Sequence, residues 1–335
     1  MRGTTFYWIL MAIAGALICP TAAFPNDSAA ELSIGGLRFT RTSEITIDSE
    51  ELRISMDRVN VRYQFNNISG KPVTLTVAFP LPDIDLSEAE NIALPSNDPV
   101  NFVDFETKID GVPAKFSINQ RALVGDKDVT SILSRLKLPL LPIGSREVRL
   151  QDLPASTRDE LVSGGLLLPA GTSDSGRPNY SFGWIVKTSA VRQQTFPLDH
   201  SVTVEHRYRP SVGSSFDTIL RKPLRQNKAL AGEVARYRTE FCVSDSFLAA
   251  VDKLAGVNPN KSAIQERRIS YVLNTGANWA APIKNFKLTI DPGAADRLVS
   301  FCNGGLKATA PNTLEFTATD FKPNADLKIL FVGRF

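Results

Sequence analysis

Residues 59–82 read VNVRYQFNNISGKPVTLTVAFPLP, and this stretch decides the fold of the chain. Apolar and polar residues alternate over 59–65, and the alternation resumes over 73–77 after a segment rich in Asn, Ser, Gly and Pro. Alternation with a period of two is typical of half-buried antiparallel strands, and the intervening residues are those that favour turns. The stretch therefore predicts a hairpin of two strands, and it contains no pattern that indicates chemistry.

The composition is that of a globular protein. The chain has 335 residues, of which 22% are charged and 43% are hydrophobic, so it is long enough for two domains and excludes global disorder. The net charge is only +3. This predicts neither nucleic-acid binding nor a general role at membrane surfaces, because both need a strong basic excess.

Metal and cofactor sites are not predicted. The chain has 2 His and 3 Cys, whereas zinc, copper and iron favour nitrogen and sulfur ligands. The composition does not exclude calcium, which binds oxygen ligands, but the spaced loop motif of an EF-hand is absent. The candidate acids are Asp83, Asp85, Asp98, Asp126 and Asp128, for which solvated turn positions are the simpler interpretation. Gly-rich motifs that bind nucleotide phosphates are absent as well.

The first 23 residues are predicted to be a secretory signal peptide. Arg2 gives a positive start, Phe6–Ile18 is an uncharged apolar run of 13 residues, and Thr21–Ala23 offers small residues for cleavage. The run is short for a membrane span, so a retained anchor is the less favoured alternative. A lipid anchor on Cys19 is disfavoured because the preceding residue is Ile18. The mature chain is expected to be periplasmic or secreted, without a transmembrane helix.

Cleavage after Ala23 would leave two cysteines, Cys242 and Cys302. An even number of cysteines in an oxidising compartment usually means a disulfide, so we predict that these two are joined. Two buried free thiols are the alternative.

Residues 24–125 are predicted to form a β-sandwich domain. Alternating segments at 102–109 and 114–118 flank Asp110-Gly111, a dipeptide typical of tight hairpin turns. Together with the hairpin at 59–82, they give roughly five to seven short strands, which is the pattern of a sandwich.

Several segments resemble a known family. VRYQFNN at 61–67, VTLTVAFPLPD at 73–83 and FETKIDGVPAKF at 105–116 are similar to the secreted proteobacterial family known as domain of unknown function 4424. Elsewhere in the chain, NDSAAELSIGGLRFT, HRYRPSVG, TGANWAAPIKNFKLTID and SFC are similar to it too. This resemblance implies a bacterial, exported protein and supplies no activity and no catalytic residues. Phe-Pro-Leu-Pro at 79–82 followed by Ile-Asp-Gly at 109–111 also resembles the Vault/inter-alpha-trypsin-inhibitor type domain.

Residues 126–179 are predicted to be a helical connector that ends in a loop. An apolar stripe between Asp128 and Pro139 indicates one short helix, and 154–163 indicates a second. Alternating segments over 180–335 predict a C-terminal β-domain with a helical insertion around 214–265. The predicted fold is therefore mainly β, with two antiparallel β-sandwich-like domains joined by short helices and a helical insertion in the second.

No catalytic residue is predicted. The Gly-x-Ser-x-Gly motif of serine hydrolases is absent, and its ingredients at 171–176 lie in a loop. His200 and His206 are the only histidines, and neither has a recognisable partner for acid–base catalysis. A hydrogen-bonded structural role is the expected one for both.

Asn278 and Trp279 form the one predicted binding site. They lie in a loop between two strands, next to Gly276. Loops on rigid β-scaffolds often carry binding, and tryptophan is common at interfaces. The alternative, slightly favoured, is an indole that folds over the open end of the sandwich as part of the core.

These features predict an exported bacterial protein. They leave open whether it is an enzyme, and they favour a non-enzymatic binding or envelope-associated module. An envelope protein or a glycan is the expected class of partner, and no cofactor is expected. The alternative function is a carboxylate-dependent hydrolase acting on envelope glycans. Two or three acids with perturbed pKa values around an open cleft would favour that alternative.

Overall fold

A computed structural model describes residues 28–33, 36–87, 92–143, 153–172, 176, 178–257, 264–302, 305, 307–310 and 313–335. The predicted signal peptide, residues 1–23, lies outside the described residues. The described chain is mainly β, as predicted, with short helices between the strands.

The strands are, in chain order, β1 (Ser28–Ser33), β2 (Gly36–Phe39), β3 (Ile45–Ser55), β4 (Val59–Asn67), β5 (Val73–Pro80), β6 (Ile84–Asp85), β7 (Ile92–Ala93), β8 (Glu106–Ile109), β9 (Val112–Pro113), β10 (Ser117–Val124), β11 (Lys127–Asp128), β12 (Leu167–Thr172), β13 (Pro178–Phe182), β14 (Ile185–Phe196), β15 (Val202–Tyr208), β16 (Val212–Ser215), β17 (Gln265–Tyr271), β18 (Ile283–Asp291), β19 (Leu298–Ser300), β20 (Lys307–Ala310), β21 (Thr313–Phe321) and β22 (Leu327–Gly333).

The helices are α1 (Thr130–Arg135), α2 (Ala155–Ser163), α3 (Lys222–Arg225), α4 (Ala231–Glu240) and α5 (Asp245–Ala255), with 3₁₀ turns at Lys228–Leu230 and Asn274–Asn278. The first two lie in the predicted connector, and α3 to α5 lie in the insertion predicted around 214–265. Among the described residues, no helix combines the length and the apolar character that crossing a membrane requires.

Three main sheets and one separate strand pair organise the described strands. The first sheet has the order β20-β21-β18-β3-β4-β15-β8-β9. The second has the order β11-β10-β14-β5-β1-β2, with β6 also beside β14, and the third has the order β19-β22-β17-β16-β7. β12 pairs only with β13. β3 and β18 are parallel neighbours, and the other described pairs are antiparallel.

The stretch 59–82 contains the two predicted strands, β4 and β5. The predicted hairpin pairing is wrong, because β4 pairs with β3 and β15 in the first sheet whereas β5 pairs with β14 and β1 in the second. Alternation shows only that one face of a strand is buried, and two facing sheets satisfy it as well as a hairpin does. Residues 68–72 therefore carry the chain from one sheet to the other.

The main core lies between the first and second sheets. The rings of Phe65 on β4 and Phe196 on β14 have centroids 5.6 Å apart, and Phe79 on β5 lies 4.7 Å from His206 on β15. All four side chains are at most 2% exposed. Apolar contact across the two sheets is therefore the main source of stability.

The strand β22, in the third sheet, is buried on both faces. Ile329 and Phe331 of β22 face the main core, whereas Leu330 and Val332 face a second cluster formed with the helical insertion. A strand buried on both faces usually has a continuous run of apolar residues, and residues 327–332 are all apolar except Lys328. The helices of the insertion therefore pack on the outer face of this sheet.

The predicted two-domain arrangement is not confirmed. Register partners join β3 to β18 and β4 to β15, so the first sheet contains residues from both sides of the predicted boundary at 179/180. In the second sheet, β5 and β14 cross that boundary in the same way. Sequence alternation finds strands but does not identify their partners, which explains the difference.

Cys242 and Cys302 form the predicted disulfide, with an S–S distance of 2.04 Å and Cα atoms 5.0 Å apart. Cys242 follows α4, and Cys302 follows β19. Beside the disulfide, the Ser300 hydroxyl donates to the Phe241 carbonyl at 2.9 Å. The helical insertion is thus tied to the third sheet by a covalent bond and by a buried hydrogen bond.

Candidate functional site

The solvent face of the first sheet is densely charged. Five basic and four acidic side chains, from six strands, line an open basin of about 500 Å³. We call this surface the charged face, and its charged residues are Glu51, Arg53, Arg62, Glu106, Lys108, Glu205, Arg207, Lys287 and Glu315. Asn60 and Thr289 lie among them.

Strand periodicity turns these residues outward. On β4, Val59, Val61 and Tyr63 are buried in the core, so the intervening Asn60 and Arg62 face solvent. The same alternation on β3 and β15 buries the intervening side chains, which are mainly apolar but include Glu50 and His206. The scaffold beneath the charges is therefore rigid.

Strand register orders the charges. Register partners place Lys108, Glu205, Arg62, Glu51 and Lys287 in one row across five strands, so the sign of the charge alternates at every step. Neighbouring strands lie about 4.8 Å apart, so the row spans about 20 Å.

A second row lies two residues further along each strand. It contains, in order, Glu106, Arg207, Asn60, Arg53, Thr289 and Glu315. The strongest contact in this row is between Arg207 and Glu106, since Nη2 of the arginine donates to both carboxylate oxygens at 2.9 and 2.7 Å. The two rows together form a lattice of fixed charges.

Most charges in the lattice pair with a neighbour. Arg62 lies 3.6 Å from Glu205 and 4.0 Å from Glu51, and Lys287 lies 2.8 Å from Glu315. The side chains of Arg62 and Glu51 are 46% and 59% exposed. Exposed pairs of this kind contribute about 0–1 kcal/mol each, so a partner can replace them at small cost.

Lys108 differs from the other basic residues. Within the described chain, no carboxylate lies in ion-pair distance of its ammonium group, and its register partner Glu205 contacts Arg62 instead. The charged face therefore ends, on the β8 side, in an exposed positive group. The alternation on β4 predicted outward polar residues but not this face, because only the register of the strands brings the charges into rows.

The two histidines lie in different surroundings. His206 is 2% exposed and packs behind the charged face, with its ring centroid 4.7 Å from that of Phe79 and 5.1 Å from that of Phe105. His200 is exposed, and its Nδ1 lies 3.2 Å from an oxygen of Asp199. The expectation of structural roles for both stays a prediction.

Trp279 is a core residue by its burial. It is 5% exposed, and its ring centroid lies 4.7 Å from that of Phe65 and 6.1 Å from that of Phe196. Asn278 is half-buried, and its carbonyl accepts a hydrogen bond from the Thr42 N–H at 3.0 Å. The burial favours an indole that closes the end of the sandwich, and the predicted binding role of Asn278 and Trp279 stays a prediction.

One cleft brings three acids together, and one of them, Glu266, has a shifted pKa. Glu266, Asp217 and Glu233 line a cleft of about 340 Å³ beside the helical insertion. Glu266 is 1% exposed and accepts a hydrogen bond from the Tyr237 hydroxyl at 2.5 Å, and burial raises the pKa of its carboxyl. Asp217 and Glu233 each pair with an arginine. The contact between Glu266 and Tyr237 fastens α4 to β17.

Three of the acids considered as calcium ligands accept hydrogen bonds within their own turns, and Asp83 instead pairs with Lys187 at 2.5 Å. Asp85 accepts hydrogen bonds from Ser87, Asp98 accepts one from the Val100 N–H, and Asp128 accepts one from Thr130. In the part of the chain that the structure describes, no three His, Cys, Asp or Glu side chains come together as a metal site.

Comparison with known proteins gives a family match and similarities to solved structures. A family model described as "Domain of unknown function (DUF4424)" matches residues 25–330, which confirms the resemblance noted from the sequence. The match does not address the local resemblance to the Vault type domain. A search of curated proteins found no match.

Among solved structures, the chain is similar to a protein from Legionella pneumophila described as a "putative nutrient binding protein". The two are 14% identical, with a TM-score of 0.42, over 88% of this chain and 69% of the other. A similarity of this size supports no argument about fold or function.

Proposed function

The chain belongs to the DUF4424 family, and from this premise we propose that it is an exported, non-enzymatic binding module that acts through the charged face. The observation that carries the proposal is the pair of charge rows around the basin. Fixed, alternating charges on a rigid sheet select partners by electrostatic complementarity and set their register.

A partner protein of the envelope fits this surface better than a neutral glycan does. The first row presents charges of alternating sign on five successive strands, and a protein surface can carry the opposite charges at matching positions. A neutral glycan has no such charges to offer. The ion pairs now present on the face are exposed, so exchanging them for pairs with a partner has a low cost.

Export is supported by the sequence and by the disulfide. Residues 1–23 have the positive start, apolar run and small residues of a signal peptide. The disulfide between Cys242 and Cys302 is of the kind that persists in oxidising compartments. We therefore place the mature protein in the periplasm or outside the cell as part of the proposal.

A carboxylate-dependent hydrolase acting on envelope glycans is the second candidate. The observation that favours it is the raised pKa of Glu266 beside a cleft that Asp217 and Glu233 also line. Release of reducing sugars from purified envelope glycans, abolished by Glu266→Gln in a folded protein, would establish the hydrolase and contradict the binding module.

Site-specific photo-crosslinking in the producing bacterium tests the binding module. A photoreactive residue in place of Asn60, near the centre of the charged face, should give a discrete adduct with an envelope protein. The same residue in place of Lys228, on the helical insertion and outside the charged face, is the matched control and should give none. No adduct from position 60, or equal adducts from both positions, contradicts the proposal.

A further inference from the structure

A second cavity, of about 560 Å³, lies where the inward face of the third sheet extends beyond the core. We call it the arginine pocket and define it by Met56, Val212, Ser214, Arg267, Arg297 and Phe335. It is separate from the basin of the charged face, since the two are lined by different residues.

Strand periodicity explains why an arginine lines this cavity. On β17, Tyr271 and Ile269 face the main core, and Arg267 is the next residue on that same face. On β22, Phe331 faces the core and is the register partner of Arg267. Ser214 of β16 is the partner of Arg267 on its other side. The apolar face thus becomes polar at the strand ends, and the cavity opens there.

Neutral groups hold both arginines of the pocket. Arg267 donates to a backbone carbonyl at 3.1 Å and to the Gln265 side chain at 3.2 Å. Arg297 donates to the carbonyls of Arg334 and Pro292 at 3.2 and 2.8 Å. These acceptors are neutral, so the hydrogen bonds orient the guanidinium groups without pairing them with a negative charge.

Two acids, Asp57 and Asp291, also line the pocket, and neither forms an ion pair with Arg267 or Arg297. Asp291 pairs with Arg53 at 2.8 Å and accepts a hydrogen bond from the Gly293 N–H at 2.9 Å. Asp57 is exposed. Over the described residues, no carboxylate lies in ion-pair distance of Arg267 or Arg297, and burial, together with the charge of Arg297, lowers the pKa of Arg267.

Both guanidinium groups pack on one aromatic ring. The central carbons of Arg267 and Arg297 lie 4.9 and 4.6 Å from the ring centroid of Phe335, which is 37% exposed. Each contact is a cation–π interaction. Two like charges around one ring repel each other, and an anion that contacts both would remove that repulsion.

Two glycines make room for Arg297. A Cβ atom on Gly293 would lie 2.7 Å from Nη1 of Arg297, and one on Gly333 would lie 2.7 Å from its Cγ. Contacts that short do not occur in proteins, so any larger residue would move the arginine. The backbone therefore fits closely around the side chain that lines the pocket.

We propose that the arginine pocket binds a small organic anion. A carboxylate or phosphate group contacts Arg267 and Arg297, and an apolar group lies against Met56, Val212 and Phe335. A cavity of this volume is in the range of small-molecule sites, which combine apolar walls with a few placed polar groups. The site does not depend on the proposed role of the charged face.

Isothermal titration calorimetry of the mature, disulfide-bonded chain tests this site. The probes are benzoate, phenyl phosphate and the neutral benzamide. We expect one or both anions to bind and benzamide not to bind, and the tighter anion identifies the ligand as a carboxylate or a phosphate. Arg267→Gln and Arg297→Gln should each weaken that binding by about tenfold or more, because each removes a charged contact.

Three further variants control the result. Arg334→Gln removes the same charge at the position next to Phe335. Because Arg334 does not line the pocket, this variant should change the dissociation constant by less than about threefold at physiological salt. Arg267→Lys keeps the charge and should retain part of the binding. Gly333→Ala keeps both arginines but displaces Arg297, and should weaken binding. Melting temperatures close to that of the wild type confirm folding.

The proposal is overturned if neither anion binds the wild-type chain. It is also overturned if Arg267→Gln and Arg297→Gln bind as tightly as the wild type, or if benzamide binds as tightly as benzoate. None of these results bears on crosslinking from position 60, so the two proposals can fail independently.

Discussion

At the scale of single residues, the indole of Trp279 is the most informative side chain to remove. It is 5% exposed and contacts Phe65 and Phe196, one from each of the two main sheets. We expect Trp279→Ala to lower the free energy of unfolding by about 3–5 kcal/mol, because it removes a large buried surface and leaves a cavity. Urea denaturation measures the change.

Asn278→Ala, at the neighbouring half-buried position, is the control for Trp279→Ala and should cost clearly less. If Trp279→Ala instead kept the melting temperature of the wild type and lost binding to the partner, the indole would be an interface anchor. The core interpretation would then be wrong.

At the scale of elements, the carboxyl group of Asp326 accepts hydrogen bonds from the backbone at the start of the 3₁₀ turn Asn274–Asn278. Burial raises the pKa of Asp326 to about 6 from an ordinary value of 3.8, against the opposing effect of hydrogen bonds from the backbone of Asn274 and Leu273. The charge of Lys328 also opposes the rise, and that of Asp83 adds to it. A carboxyl with a raised pKa contributes stability at low pH that is lost as the pH rises through its folded pKa.

We therefore expect the free energy of unfolding to fall as the pH rises from about 4 to about 6, and Asp326→Asn to flatten this fall. Urea denaturation at a series of pH values measures it. Asp296→Asn, at an exposed position, should keep the profile of the wild type. Identical profiles for Asp326→Asn and the wild type would show that Asp326 does not control this pH range.

The disulfide is the second element-scale feature that can be tested. It closes a loop of 60 residues between the end of α4 and the end of β19. Replacing both cysteines by serine should lower the free energy of unfolding by about 4 kcal/mol in the chain-entropy model. Urea denaturation of the oxidised wild type and the double variant measures the difference. Equal midpoints would mean that the bond does not restrain the unfolded chain.

Elements were easier to predict than their partners. The alternation in 59–65 and 73–77 located β4 and β5, because burial of one face leaves a period of two in any half-buried strand. It gave no information on pairing, since β4 and β5 belong to different sheets. The prediction of a hairpin at Asp110-Gly111 is confirmed. A local turn of this kind, with both residues at positive φ, fixes the register of its own two strands.

Sites depend on contacts that are far apart in the chain. The charge rows combine β3, β4, β8, β15, β18 and β21, and only long-range register aligns them. The arginine pocket left one local signal, an arginine in line with Ile269 and Tyr271 on the inward face of β17. The disulfide was predictable because two cysteines allow one pairing.

At the scale of the whole molecule, export is the first testable expectation. The intact mass of the protein recovered from the periplasm or the medium should correspond to a chain that begins at Phe24, because cleavage is expected after Ala23. Recovery of a mature form that retains residues 1–23 would contradict export by a cleaved signal peptide.

The most direct test of the binding module exchanges the charges of one ion pair on the charged face. The double variant Glu106→Arg/Arg207→Glu keeps the pair and the net charge but reverses the local pattern. Its stability should stay within about 0.5 kcal/mol of the wild type, because the pair is exposed. The measurement is the yield of the adduct that a photoreactive residue at position 60 forms in the cell. We predict that the exchange abolishes the adduct in a fully folded protein, and an unchanged yield would contradict recognition by the charged face.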